Sequence, residues 1–209
     1  MVEVDGKLTD GRGPSPHELR IAHALTEILA PVVLIFVLLF VVAIHSTGSL
    51  SRGLLLGLIA AFFAGGLPYA ILVLGIRRGH LGDRHLRRRE ERPLMMVIGL
   101  VSVVCGLVIV NWIGAPRELY ALVGAMVAGV VVALAISLFW KISIHVACVA
   151  GSVAVLAYVL GPSYLLLGVA VLAVGWARVR VRDHTMGQVV AGAAVGAVVA
   201  YVTMSQLTP

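Results

Sequence analysis

Seven apolar runs dominate this chain, at about 20–45, 51–76, 94–114, 118–140, 142–160, 162–178 and 185–206. A helix needs roughly 17–25 residues of this kind to cross the hydrocarbon of a bilayer. The first four runs and the last meet that length alone. The fifth and sixth are shorter and, divided by Gly161-Pro162, read as a tight helical hairpin. Period-two alternation is absent, so strands are not expected. Open sheet edges would also leave backbone groups unsatisfied in lipid. The expected fold is all-α: a polytopic integral membrane bundle of six to seven transmembrane helices. Composition agrees, because 12% charged residues is half the roughly 25% of a soluble domain.

The first run begins past residue 20 and is longer than a signal-peptide core, so no cleavable leader is expected. Residues 1–18 read as a flexible polar tail and 19–209 as a single domain. Ser15-Pro16-His17-Glu18 has the pattern of a capping box with proline at the first helical position. Cys105 and Cys148 lie inside apolar runs, which suits packing rather than a disulfide framework. Gly192, Gly196 and Ala200 form a stripe that permits close helix packing, expected within the bundle.

Charge placement orients the bundle. With seven crossings, fourteen of the sixteen Lys and Arg residues fall on the side of the N-terminus; only Arg52 and Arg117 fall on the other. By the positive-inside rule the Arg-rich face is cytoplasmic. Trp140 and Trp176 fall near the Arg-rich ends of their runs, and Trp112, Tyr120, Tyr158, Tyr164 and Tyr201 near the opposite ends. That is the pattern of two interfacial aromatic belts.

Three polar clusters share the Arg-rich side: residues 82–93, 141–147 and 177–192. Clusters far apart in sequence can therefore meet at one membrane face. Phosphoryl transfer suits their contents. Charge spreads over the oxygens of the transferred group, so a site wants fixed cations, and arginine's planar fork matches phosphate. One histidine can attack phosphorus while a second protonates the leaving oxygen. His145 and His184 supply two imidazoles, and Arg92 and Arg178 supply clamps.

These residues resemble the type 2 phosphatidic acid phosphatases, a family related to bacterial acid phosphatases and vanadium haloperoxidases, with the signature K-x6-RP, PSGH and SR-x5-H-x3-D. Arg178, His184 and Gln188 keep the spacing of the third part. Ser143 and His145 keep two positions of the second, and Arg92-Pro93 ends the first. The resemblance covers residues 85–192. It implies a phosphatase-type core with His184 as nucleophile, His145 as general acid, and Arg92, Arg178 and Ser143 on the phosphate oxygens, with no metal and no cofactor. The chain departs from the pattern at His85 for lysine, Ile142 and Ile144 for proline and glycine, Ala177 for serine, and Gln188 for aspartate. Lys141 is a candidate to replace the missing lysine, and Asp183 to replace the missing aspartate.

The function expected is hydrolysis of a lipid phosphate or prenyl diphosphate. Membrane lipids are the surroundings, and nucleic acid is not a partner. The alternative is a degenerate member that binds lipid phosphate, or a partner, without turnover. A membrane prenyltransferase ranks lower, because past residue 20 the only aspartates are Asp83 and Asp183. A transporter ranks lower still, for want of a repeat or a broken helix pair.

Overall fold

The computed structural model describes residues 2–4, 7–9, 14–78 and 91–208, with side chains over 14–78 and 97–208. A short antiparallel pair, β1 (Val2–Val4) and β2 (Lys7–Thr9), sets Val4 opposite Lys7. All other regular structure among the described residues is helical. The helices are α1 (Pro16–Ile28), α2 (Pro31–Thr47), α3 (Leu50–Ala61), α4 (Leu67–Arg77), α5 (Glu91–Trp112), α6 (Arg117–Ser137), α7 (Ile144–Leu160), α8 (Gly168–Arg180) and α9 (Met186–Leu207). Among the described residues, five helical stretches are long and apolar enough to cross a membrane: Pro16–Thr47, Leu50–Arg77, Arg117–Ser137, Pro162–Arg180 and Met186–Leu207. Ile144–Leu160 is a shorter apolar helix, and Val97–Trp112 is the apolar part of α5 whose side chains are described.

Local chemistry sets the breaks. Ser15 and Glu18 form the expected capping box at the start of α1. The first apolar run is not one helix. Pro31 disfavours the helical region for the residue before it, and Ala30 is extended at φ −62°, ψ 143°. α1 consequently leans on α8, while α2 packs among α3, α6 and α7. Gly161 turns the chain at φ 118°, and a 3-10 turn, Pro162–Leu167, leads into α8.

Between α3 and α4 a π turn, Phe62–Gly66, keeps the second stretch continuous. The Leu67 N–H donates to the Phe62 carbonyl. The Phe63 carbonyl then has no helical donor, since the next residue, Pro68, has no N–H. Ser102, buried on α5, donates its hydroxyl to that carbonyl at 2.6 Å. Ser102→Ala is expected to lower stability by about 1–3 kcal/mol, the cost of orphaning a buried acceptor. An unchanged melting temperature in detergent would show that the carbonyl finds another donor.

The bundle has two cores. The larger joins α2, α3, α5, α6, α7 and α9 around Leu39, Val42, Leu119, Leu122 and Met204. The smaller, Val146, Val149, Val174 and Val189, ties the start of α7, the middle of α8 and the start of α9 together. The closest packing is between α7 and α9. A Cβ on Gly192 would lie 2.6 Å from the Ser143 carbonyl oxygen, and one on Gly196 would collide with that of Ala147. The small-residue stripe is thus spent inside the bundle. Large apolar side chains face outward instead, among them Trp112, Leu138, Phe139 and Leu166, each at least 80% exposed.

Candidate active site

The chain crosses from α8 to α9 in five residues, and two end motifs fold that link. At the end of α8 the Asp183 N–H donates to the Arg178 carbonyl and the Arg182 N–H to the Val179 carbonyl. This is the Schellman pattern. It places Arg182 at φ 59°, a left-handed conformation that glycine usually fills and that a residue with a Cβ adopts at a cost. The turn brings His184 back over the last turn of α8, where its own N–H reaches the Arg178 carbonyl at 3.3 Å. Thr185 then caps α9 and forms a capping box with Gln188. The spacing Arg-x5-His is the length of that turn.

His184 therefore precedes α9 rather than lying on it, and it meets Gln188 through the cap. The Gln188 Oε1 accepts from the Thr185 N–H at 3.2 Å and faces the His184 Nδ1 at 3.2 Å. A backbone N–H can only donate, so it fixes which end of the amide is oxygen. An oxygen cannot donate, so Nδ1 carries the hydrogen of that bond. The Nε2 of a neutral His184 is left with its lone pair.

Asp183 does not serve His184. Its carboxylate pairs with Arg178 at 3.0 Å. Its backbone carbonyl accepts from Lys141 Nζ at 2.7 Å. These two bonds draw α8 and the α6–α7 connection to one loop. The Ser143 N–H donates to the Gln188 carbonyl at 3.2 Å, joining the starts of α7 and α9. Both helices begin at this face, so the positive ends of two helix dipoles converge there.

Lys141, Ile142, Ile144, His145, Arg178 and His184, together with Ser137, line an open cavity of about 360 Å³. Four of the sequence-derived candidates thus meet: His184, His145, Arg178 and Lys141. Gln188 stands behind His184. Ser143 is at the helix start expected of it, but it is fully buried and does not line the cavity. Arg92 and His85 lie outside the residues whose side chains are described. Ser137 was missed from sequence. Its only signal is a polar residue within the last turn of the fourth apolar run, four positions before Lys141.

Three buried side-chain polar atoms lack a hydrogen-bond partner among the described residues. One of them, Arg178 Nε, belongs to a residue that lines this cavity, and another, Ser143 Oγ, lies buried at the adjoining start of α7. Buried donors without partners are rare and costly, and an anion in the cavity is a partner to which Arg178 could donate.

Burial pushes the His184 pKa below the ordinary imidazole range. Its hydrogen bond to Gln188 opposes this, and Lys141 and Arg178 push it further down. The neutral ring thus persists to lower pH than in a free histidine. An NMR titration is expected to place its midpoint below the reference of about 6.5. Gln188→Ala should lower the midpoint further, and Lys141→Ala should raise it. The opposite order would mean that neither group acts on the ring as its position suggests.

No protein-family model, curated protein or solved structure matches this chain.

Proposed function

We propose that this chain is an integral membrane phosphatase that hydrolyses a lipid phosphate or prenyl diphosphate through a phosphohistidine, as a divergent relative of the type 2 phosphatidic acid phosphatases. One observation carries the reading: a histidine with Nδ1–H held by an amide oxygen shares a cationic cavity with a second histidine and with an arginine whose buried Nε has no hydrogen-bond partner among the described residues.

In this reading the His184 Nε2 attacks phosphorus as the bond to the leaving oxygen breaks. Protonated His145 gives that oxygen its proton. Water then attacks the phosphohistidine while neutral His145 takes a proton from it. The P–N bond breaks with its electron pair returning to His184, and inorganic phosphate leaves. Arg178 and Lys141 hold the equatorial oxygens. Arg92 and His85 are assigned to the same oxygens on the motif alone.

Seven crossings suit this arrangement. Glu18 meets Arg180 and Lys141 meets the Asp183 carbonyl at one end of the bundle. At the other end Arg52 meets the Gly114 carbonyl and Tyr158 meets Thr208. Each contact joins ends that a seven-span count assigns to the same face. The positive-inside bias then argues for a site on the cytoplasmic face of the cell membrane.

The binding-only alternative draws on Gln188, which cannot stabilise an imidazolium with charge, and on Asp183, which is engaged by Arg178. The assay that decides is phosphate release by the purified protein in detergent, over prenyl and glycerolipid phosphates, with and without EDTA. Release that survives EDTA supports the histidine mechanism. Release from no substrate by a folded sample leaves a phosphate-binding protein.

A further inference from the structure

α6 and α7 follow one another in the chain, yet they scarcely touch; both lie against α9. The gap between them is an apolar cleft of about 220 Å³. On α6 its wall runs through Leu122, Met126, Gly129 and Ala133, a helical stripe whose next member, Ser137, lines the cationic cavity. On α7 the wall runs from Ile144 through Cys148 to Val155. Ile142 and Ile144 line both spaces, so the cleft and the cavity adjoin at these two side chains. From Ile144 to Val155 the helix rises about 16 Å at 1.5 Å per residue, roughly half of a ~30 Å hydrocarbon core.

We infer that this cleft seats one apolar chain of the substrate, so that the protein selects a single-tailed lipid phosphate, a prenyl or alkyl phosphate, over a two-chain glycerolipid. The inference rests on the phosphatase reading for the nature of the head group. Charge complementarity fixes which way the occupant lies: phosphate among Lys141, Arg178 and the two helix starts, tail between α6 and α7. The volume limits the number of tails. At about 30 Å³ for a water-sized group, the cleft holds roughly seven such groups. That is the head-proximal part of one chain, and a second chain on the same head group would have to lie outside the cleft. Its small residues keep it open. A Cβ on Gly129 would meet nothing within 4 Å, so that glycine leaves space that the fold itself does not need.

The test is binding of dodecylphosphonate and methylphosphonate, neither of which can be hydrolysed, to the protein in phosphatidylcholine nanodiscs, with a two-chain phosphonate analogue of phosphatidate as competitor; it should displace dodecylphosphonate only weakly, and displacement as strong as by a single-chain phosphonate overturns the selectivity. Dodecanol is the headless control. The wild type should bind the tailed phosphonate more tightly, and Gly129→Leu should cut the ratio of the two affinities at least tenfold. Gly129→Ala, which adds only a methyl to the same space, should give a smaller fall and serves if the leucine variant does not fold. An unchanged ratio in a folded variant overturns the inference. So does failure of the wild type to bind the tailed phosphonate, or equal competition by dodecanol, which would assign the cleft to any membrane chain. Tail-selective binding without hydrolysis of any ester would end the phosphatase reading and leave the cleft assignment standing.

Discussion

His184→Ala is expected to cut phosphate release by about 10⁴-fold or more, the scale on which enzymes lose a covalent nucleophile. It should also abolish labelling of the protein by substrate carrying radioactive phosphorus, because the acid-labile P–N bond can no longer form. His145→Ala should lose about 10²–10⁴-fold, the usual worth of a general acid. The second loss should depend on the leaving group. An alkyl or prenyl oxygen needs the proton, whereas a nitrophenolate leaves without it, so formation of the phosphohistidine from nitrophenyl phosphate should recover most of the His145→Ala deficit and none of the His184→Ala deficit, while the later attack of water, for which His145 is the base, stays slow with both substrates. Activity of His184→Ala within tenfold of wild type would remove the phosphohistidine. Equal losses on both substrates in the rate of phosphohistidine labelling of His145→Ala would remove its role as acid.

Replacing a triad aspartate by its amide costs a serine protease about ten-thousand-fold, chiefly because the amide leaves the histidine in the wrong tautomer. The capping box alters that expectation for Gln188. The Thr185 N–H turns the amide so that its oxygen, not its nitrogen, faces His184. The ring therefore keeps Nδ1–H. What the glutamine lacks is negative charge; the Asp183 carboxylate, paired with Arg178, is a charge that does favour the protonated ring.

Much of this was legible in the chain because length and hydropathy determine where membrane-length helices can lie. The seven runs fall on the helical stretches, and the Gly161-Pro162 break and the Ser15–Glu18 cap stand where their residue types require. The less legible features depend on tertiary choices. Pro31 was visible, yet a run this apolar hides a one-residue break at Ala30. The π turn shows itself only when Ser102 supplies the donor that Pro68 withholds. Asp183 sits beside His184 in sequence but pairs with Arg178, because a left-handed Arg182 reverses the chain between them. No sequence rule predicts that conformation for an arginine. The splay of α6 from α7 is set by what both prefer on α9.

That preference can be tested at one atom. Gly196→Ala is expected to destabilise the bundle by about 3 kcal/mol or more, the upper range for overpacking, because the added methyl meets the Ala147 carbonyl rather than a side chain that can turn away. Gly99→Ala is the control. A Cβ there meets nothing within 4 Å, and alanine should be neutral or stabilising by up to about 1 kcal/mol. Thermal unfolding in detergent reads both. The consequence for the site follows from the same geometry. α7 carries Ser143 and His145, and α9 begins beside His184, so any widening between them separates the proposed acid from the proposed nucleophile. Gly196→Ala protein that remains folded should thus lose activity well beyond its loss of stability, and more on poor leaving groups than on nitrophenyl phosphate. A variant with wild-type melting and wild-type turnover would mean that α7 and α9 do not approach this closely, and that the two histidines are held together by something other than the glycine stripe.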